Sequence, residues 1–304
     1  MLEILFLGTG GGLPSRDRAP SCVAVRSKRD IVLFDCGEGA QRQLMVSQFS
    51  FMKIVGIFIS HLHGDHIFGL PGLLQTMGLS GRKDPLVVRG PKGIKEFIEA
   101  VSNTCQGGGL DYRLDIDEFE AGDKIQFEGF SVSSFSTEHG VPSFGYVLTE
   151  DDSKGKFDEE KAKSLGITPG PDFAALQKGT SVNGVTSDMV MGPSKPGCSV
   201  VYSGDTGPCA GLTEASEGAD VLIHESTYSR SEEDKAAAYK HSTASQAAET
   251  ARNNGCRALI LTHISNRYED GMQLEKEARE IFPASFVAAD FSFYVITKDS
   301  FRSA

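Results

Sequence analysis

Short apolar runs separated by glycine-rich turns dominate the first half of the chain. Leu2 to Leu7 reads as a strand that runs into a glycine turn at Thr9 to Leu13. Cys22 to Arg26 and Ile31 to Asp35 predict a strand pair around Ser27-Lys28-Arg29-Asp30. Gly39 to Ser47 has helical composition, and Ile54 to Ile59 has the β-branched character of a buried strand. One helix is expected to start near Gly69 to Leu74 and another to run over Lys92 to Val101, with Pro91 near the first turn of the second. Leu86 to Arg89 is a short strand between them. Tyr112 to Ile116, Lys124 to Phe127, Phe130 to Thr137 and Phe144 to Thr149 read as further strands.

The character then changes. Residues 150–196 carry dense charge, Gly-Pro pairs and little periodicity, with one short helix expected within Lys156 to Leu165. This segment reads as an extended arm inserted in a single domain spanning 1–304. The core pattern resumes with strands at Cys198 to Ser203, Val221 to Glu225 and Ala258 to Thr262. Ala236 to Asn253 reads as one long helix and Met272 to Ile281 as another. Ser285 to Ala289 and Phe293 to Thr297 close the pattern as strands. Strands alternating with helices predict a layered α/β fold.

Composition narrows the setting. A chain of 304 residues suffices for one large domain or two modest ones. The opening apolar run is too short for a signal peptide or a membrane span, so no membrane contact is expected and the cytoplasm is the default. Cys22, Cys36, Cys105, Cys198, Cys209 and Cys256 are scattered without a CxxC pair, as in reduced, buried thiols. The net charge of −11 argues against a broad nucleic-acid surface, although a metal centre adds positive charge that the count omits.

The chemistry concentrates in Ser60-His61-Leu62-His63-Gly64-Asp65-His66. Three imidazoles and a carboxylate follow an apolar strand within six positions. These groups suit zinc and other borderline metals, and four of them on one turn are hard to aim at a single ion. Other candidates sit where strands end: His139, Asp205, His224 and His263. Outside a metal site, His139 is a surface turn residue and Asp205 a turn cap. The set closes if His61, His63 and His139 hold one ion, Asp65, His66 and His263 hold a second, and Asp205 bridges them. Two ions about 3.5–4 Å apart lower the pKa of a shared water and clamp a reacting phosphate or carbonyl.

His-x-His-x-Asp-His after a hydrophobic strand resembles the signature of the metallo-β-lactamase superfamily. Phe6-Leu7-Gly8-Thr9-Gly10, Phe34-Asp35-Cys36-Gly37-Glu38-Gly39 with Gln41 and Arg42, His241-Ser242-Thr243 and Ala288-Ala289-Asp290 narrow the resemblance to the ribonuclease Z family. That likeness runs over nearly the whole chain. It implies an αββα sandwich of two mixed β-sheets flanked by helices. It also implies two zinc ions per subunit, a homodimer, and precursor transfer RNA rather than DNA as partner. By the same resemblance Asp65 helps activate the nucleophile. His241 gives a proton to the leaving oxygen, supported by Glu225. The segment 150–196 resembles the family's flexible arm, which grips the transfer RNA elbow, with Lys161, Lys163 and Lys178 among its basic groups. Pro14-Ser15-Arg16-Asp17-Arg18 resembles a loop used near the substrate's 3′ end, so Arg16 and Arg18 are candidate contacts. Arginine replaces the family's usual middle lysine there. Two rival readings are a hydrolase of small phosphodiesters or sulfate esters on the same centre and a non-catalytic RNA-binding scaffold that kept the fold.

Overall fold

The computed structural model describes residues 1–104 and 110–303, and Cys105 lies outside them. The chain divides into two compact units. One comprises Met1–Thr149 with Cys198–Ala304, the other Glu150–Gly197.

In the first unit, period-two patterning decides the layering. Leu2, Ile4 and Phe6 of the strand Leu2–Gly8 enter one apolar cluster, while Leu5 and Leu7 enter another. Val23 and Val25 part from Cys22 and Ala24 in the same way. Val221 and Ile223 part from Leu222. Successive side chains leave a strand on opposite faces, so a strand apolar on both faces must be covered on both.

Two sheets result. The first runs Phe301–Ser303, Phe293–Ile296, Leu2–Gly8, Cys22–Ser27, Asp30–Phe34, Ile54–Phe58, Leu86–Gly90, Leu114–Glu118, and its last four strands are parallel. The second runs Ser285–Val287, Ala258–Thr262, Val221–Glu225, Ser199–Tyr202, Phe144–Glu150, Phe130–Ser136, Lys124–Phe127, and its first four are parallel. Their inner faces share one cluster, in which Phe34 stacks against Tyr146 and Tyr202 at 5.8 and 5.4 Å. Helices Ala40–Val46, Leu70–Leu79 and Ile94–Thr104 cover the first sheet through Leu44, Leu73, Met77 and Ile98. Helices Ala210–Ala215, Ala244–Asn253 and Met272–Arg279 cover the second through Leu212, Ala247, Ala251 and Leu274. The fold is the expected αββα sandwich.

The long helix expected over Ala236 to Asn253 is two helices. Glu233–Tyr239 stops at Lys240, whose φ of 56° is left-handed and unwinds the turn. The chain then extends, and Thr243 with Gln246 forms a capping box that starts Ala244–Asn253. Helical composition on both sides had hidden this Thr-x-x-Gln boundary. The strand expected at Tyr112 to Ile116 begins two residues later, at Leu114–Glu118. Helix Ala210–Ala215 and strand Phe301–Ser303 had not been expected.

The second unit holds three short helices instead of one: Glu159–Ser164, Pro171–Gln177 and Ser187–Val190. Asp158 caps the first by accepting from the Lys161 amide, and Pro171 opens the second. Ala162, Ile167, Phe173, Leu176, Val185 and Val190 bury themselves in a small core of their own. Each helix is too short to print a repeating apolar stripe. Among the described residues, no helix is long and apolar enough to cross a membrane.

Candidate metal centre

Parallel strands bring their C-terminal ends to one edge of a sheet, and loops leaving that edge converge. His61 and His63 follow Ile54–Phe58, and the short helix Gly64–Ile67 carries Asp65 and His66. His139 follows Phe130–Ser136, Asp205 follows Ser199–Tyr202, and His263 follows Ala258–Thr262. Glycines make the convergence possible at two points. Gly204 has φ 59°, and a Cβ there would lie 2.8 Å from the Ser60 Cβ. A Cβ on Gly11 would lie 2.6 Å from His263 Nδ1. Gly10 and Gly11 pair with Ile264 and Ser265 and fix the backbone of His263, itself at φ 56°.

The donor atoms meet closely. His61 Nε2 lies 2.9 Å from His63 Nδ1, which lies 3.4 Å from His139 Nε2. Asp65 Oδ2, His66 Nε2 and His263 Nε2 stand 3.3, 3.3 and 3.5 Å apart. Asp205 Oδ2 lies between the two groups, 3.8 Å from His61, 3.4 Å from His66 and 3.2 Å from His263. Zinc bonds of about 2.0–2.1 Å in a tetrahedron separate ligand atoms by about 3.3 Å. His61, His63 and His139 form one group that could hold an ion, and Asp65, His66 and His263 form another. The donor chemistry and spacing fit two zinc ions with Asp205 between them.

Electrostatics favour a cation here. Burial would keep Asp205 neutral, yet the His263 and His66 rings hold its carboxyl well below the usual range. Asp65 is likewise held low against burial by hydrogen bonds from His263 and His66, and the Gly12 amide donates to its Oδ2 at 2.8 Å. Burial dominates at His61 and pushes it well below the ordinary histidine value, toward the neutral ring a metal requires.

Residues that orient the donors had not been singled out for that task. Asp35 is fully buried at φ 59°. Its Oδ2 accepts from Ser60 Oγ at 2.8 Å and Tyr202 OH at 2.6 Å, and faces His66 Nδ1 at 2.7 Å. Its Oδ1 accepts from the Ser60 amide at 2.6 Å. Ser60 Oγ passes the contact on to His61 Nδ1 at 3.0 Å. Thr227 Oγ1 braces His263 Nδ1 at 2.8 Å and donates to Glu225 Oε2 at 2.7 Å. Such partners fix which ring nitrogen is free to ligate.

His241 stands in the break between the two helices. Its ring centre lies 5.1 Å from that of His139 and 5.5 Å from that of His263. Glu225 Oε1 contacts His241 Nδ1 at 2.7 Å. Burial alone would lower this imidazole, but the Glu225 carboxylate overrides it and raises it to about 9. His224 turns away, with Nδ1 on the Glu225 carbonyl at 2.7 Å.

The basic candidates separate. Arg16 is exposed. Arg18, the other candidate contact of that loop, is buried. Its Nη1 donates to Thr9 Oγ1 at 2.8 Å and the Ala288 carbonyl at 2.7 Å, so it anchors the loop from inside. In the second unit Lys161, Lys163 and Lys178 are exposed, and Lys163 lies 3.9 Å from Glu159.

Two family models match: "Anti-Pycsar protein Apyc1" over residues 2–155 and "Beta-lactamase superfamily domain" over residues 160–264. Ribonuclease Z of Methanosarcina mazei is 46% identical over 297 residues, covering 95% of this chain and 96% of its own. Ribonuclease Z of Methanosarcina acetivorans is 44% identical over 295 residues, with 95% and 96% covered. The crystal structure of human tRNase Z, short form, superposes with a TM-score of 0.71 at 29% identity, over 97% of this chain and 99% of that one. With the donor set and the sandwich fold already in hand, these likenesses show that the chain belongs to the ribonuclease Z family of the metallo-β-lactamase superfamily.

Proposed function

We propose that this protein is a zinc-dependent endoribonuclease that removes the 3′ trailer from precursor transfer RNA. The observation that carries the reading is the Glu225–His241 pair standing beside a double His/Asp donor set. His61, His63 and His139 would hold one zinc, Asp65, His66 and His263 the other, with Asp205 shared. When bound, the two ions supply charge neutralisation on a phosphodiester and lower the pKa of a water between them.

The chain's own residues do the rest. Asp65 orients the attacking water. Glu225 engages His241 at Nδ1 and keeps the ring charged, which leaves Nε2 to protonate the departing ribose 3′ oxygen. The products are a transfer RNA ending in a 3′-hydroxyl and a trailer with a 5′-phosphate. The unit Glu150–Gly197 serves as the arm that grips the transfer RNA elbow, with Lys161, Lys163 and Lys178 toward phosphates, and Arg16 serves near the 3′ end. The protein works as a homodimer in the cytoplasm, the arm of one subunit serving substrate on the other. Exposed Met45, Val46, Phe68 and Leu79 on and beside two neighbouring helices support a self-association surface.

The test is cleavage of a 3′-extended precursor transfer RNA with the product end mapped, with and without chelator. Cutting after the discriminator nucleotide, lost on chelation and restored by zinc, is expected. Deleting 150–197 abolishes this cutting and spares a small chromogenic phosphodiester. Hydrolysis of the small ester alone by the intact protein would overturn the RNA reading.

A further inference from the structure

Beyond the donor set, one cation is held in place on the rim beside His241. Arg267 lies four residues past His263, and its guanidinium carbon sits 4.9 Å from the ring centre of Tyr228. The His241 ring lies beside it as well, 6.1 Å away. Tyr228 cannot drift, because its amide donates to the Ser242 carbonyl and its carbonyl accepts from Ala244 across the helix break. Arg267, Tyr228 and His241 therefore form one fixed row that starts at the proton donor and ends in a cation.

Glu232 sets the angle of the guanidinium by accepting from Nη1 at 2.9 Å. That contact is not needed to fasten the two segments together. The Tyr268 hydroxyl already accepts from the Ser229 amide at 2.8 Å and donates to Glu232, and Lys235 donates to the same carboxylate at 2.7 Å. Among the described residues no hydrogen bond is made to Nε or Nη2 of Arg267, and its side chain is 41% exposed. A planar fork with a free edge matches the oxygens of a phosphate. In a chain of net charge −11, polyanion binding has to rely on such locally placed cations.

We propose that Arg267, oriented by Glu232 and stacked on Tyr228, binds a backbone phosphate of the RNA next to the one that is cut. This rests on the ribonuclease reading above. Tyr228 sets the distance between that phosphate and His241, so the contact positions the strand against the proton donor.

The experiment is equilibrium binding of a precursor transfer RNA with a non-hydrolysable linkage at the cut, to zinc-loaded protein over a series of salt concentrations. Arg267→Ala should weaken binding about tenfold, as loss of a charge-assisted hydrogen bond does. It should also flatten the salt dependence by about one phosphate contact. Arg267→Lys should keep the parental slope and recover part of the affinity. Arg267→Gln replaces the alanine variant if thermal melting shows the latter unfolded. Glu232→Gln frees the guanidinium and should weaken binding at an unchanged slope. A parental slope in folded Arg267→Ala or Arg267→Gln would overturn the assignment and leave Arg267 as a strut. Because binding is read without cleavage, parent protein that binds this analogue but does not cut the ordinary precursor would count against the ribonuclease reading alone.

Discussion

Asp35→Asn separates the charge beneath the metal centre from its shape. Asp35 sits at φ 59°, a conformation asparagine tolerates better than almost any other non-glycine residue, so the backbone is kept. What changes is the donor pattern. The carboxylate faces four donors: the Ser60 amide and hydroxyl, the Tyr202 hydroxyl and His66 Nδ1. An amide offers one oxygen, which stays with the Ser60 amide. Its NH2 then meets the three groups that formerly donated to Oδ2. His66 can accept from it only by moving its own proton to Nε2, the nitrogen that converges with Asp65 and His263. A supporting carboxylate of this kind changes metal affinity by about 10–100-fold. The reversed tautomer puts Asp35→Asn near the upper end, about 2.7 kcal/mol. The Asp65–His66–His263 group should suffer most, and the His61 group less, through Ser60. Competitive zinc titration against a chromophoric chelator measures both, and excess zinc should restore part of the activity. Parental affinity for both ions in the folded variant would refute the reasoning.

The remaining predictions are shorter. His241→Ala should lower kcat by about 10²–10⁴ with zinc content retained, read by initial rates and metal analysis. The acid form of His241 persists below its pKa, so activity should hold through neutral pH and fall as pH rises past about 9. Glu225→Gln removes the charge that sustains this and should move the alkaline limb down toward about 6.5 in a kcat–pH profile; an unmoved limb would assign it to another group. Gly11→Ala drives a methyl into His263 and should release zinc, measured by titration, whereas Gly12→Ala opens into free space at φ 75° and should cost about 1–2 kcal/mol of stability in denaturant melts. Thr243→Ala removes the capping box and should cost about 1 kcal/mol in the same assay.

What could be read from the chain alone depended on range. The His61–His66 turn is local, and an apolar strand before it fixes its place at a sheet edge. His139, Asp205 and His263 were legible only as strand-end residues, since nothing in their neighbourhoods states that the ends meet. Asp35, Ser60 and Thr227 support rings through contacts made in the folded state, and a carboxylate or hydroxyl after a strand carries no mark of that task. The break at Lys240 was readable in principle from Thr243 and Gln246, but alanines on both sides outweighed it. The anchoring of Arg18 was not legible, because the carbonyls and hydroxyl that receive it come from residues as distant as Ala288. The small core of the second unit escaped because its six apolar residues, four on three one- or two-turn helices and two between them, show no period.

His66 and His263 stand 197 residues apart, yet their ring nitrogens lie 3.3 Å from one another. A growing polypeptide therefore carries the early imidazoles for most of its synthesis without the late ones that complete the pair. A copy that ends before residue 263 lacks the third member of the Asp65–His66–His263 group. The second donor group can close only once residue 263 has been made and Ala258–Thr262 has paired beside Val221–Glu225.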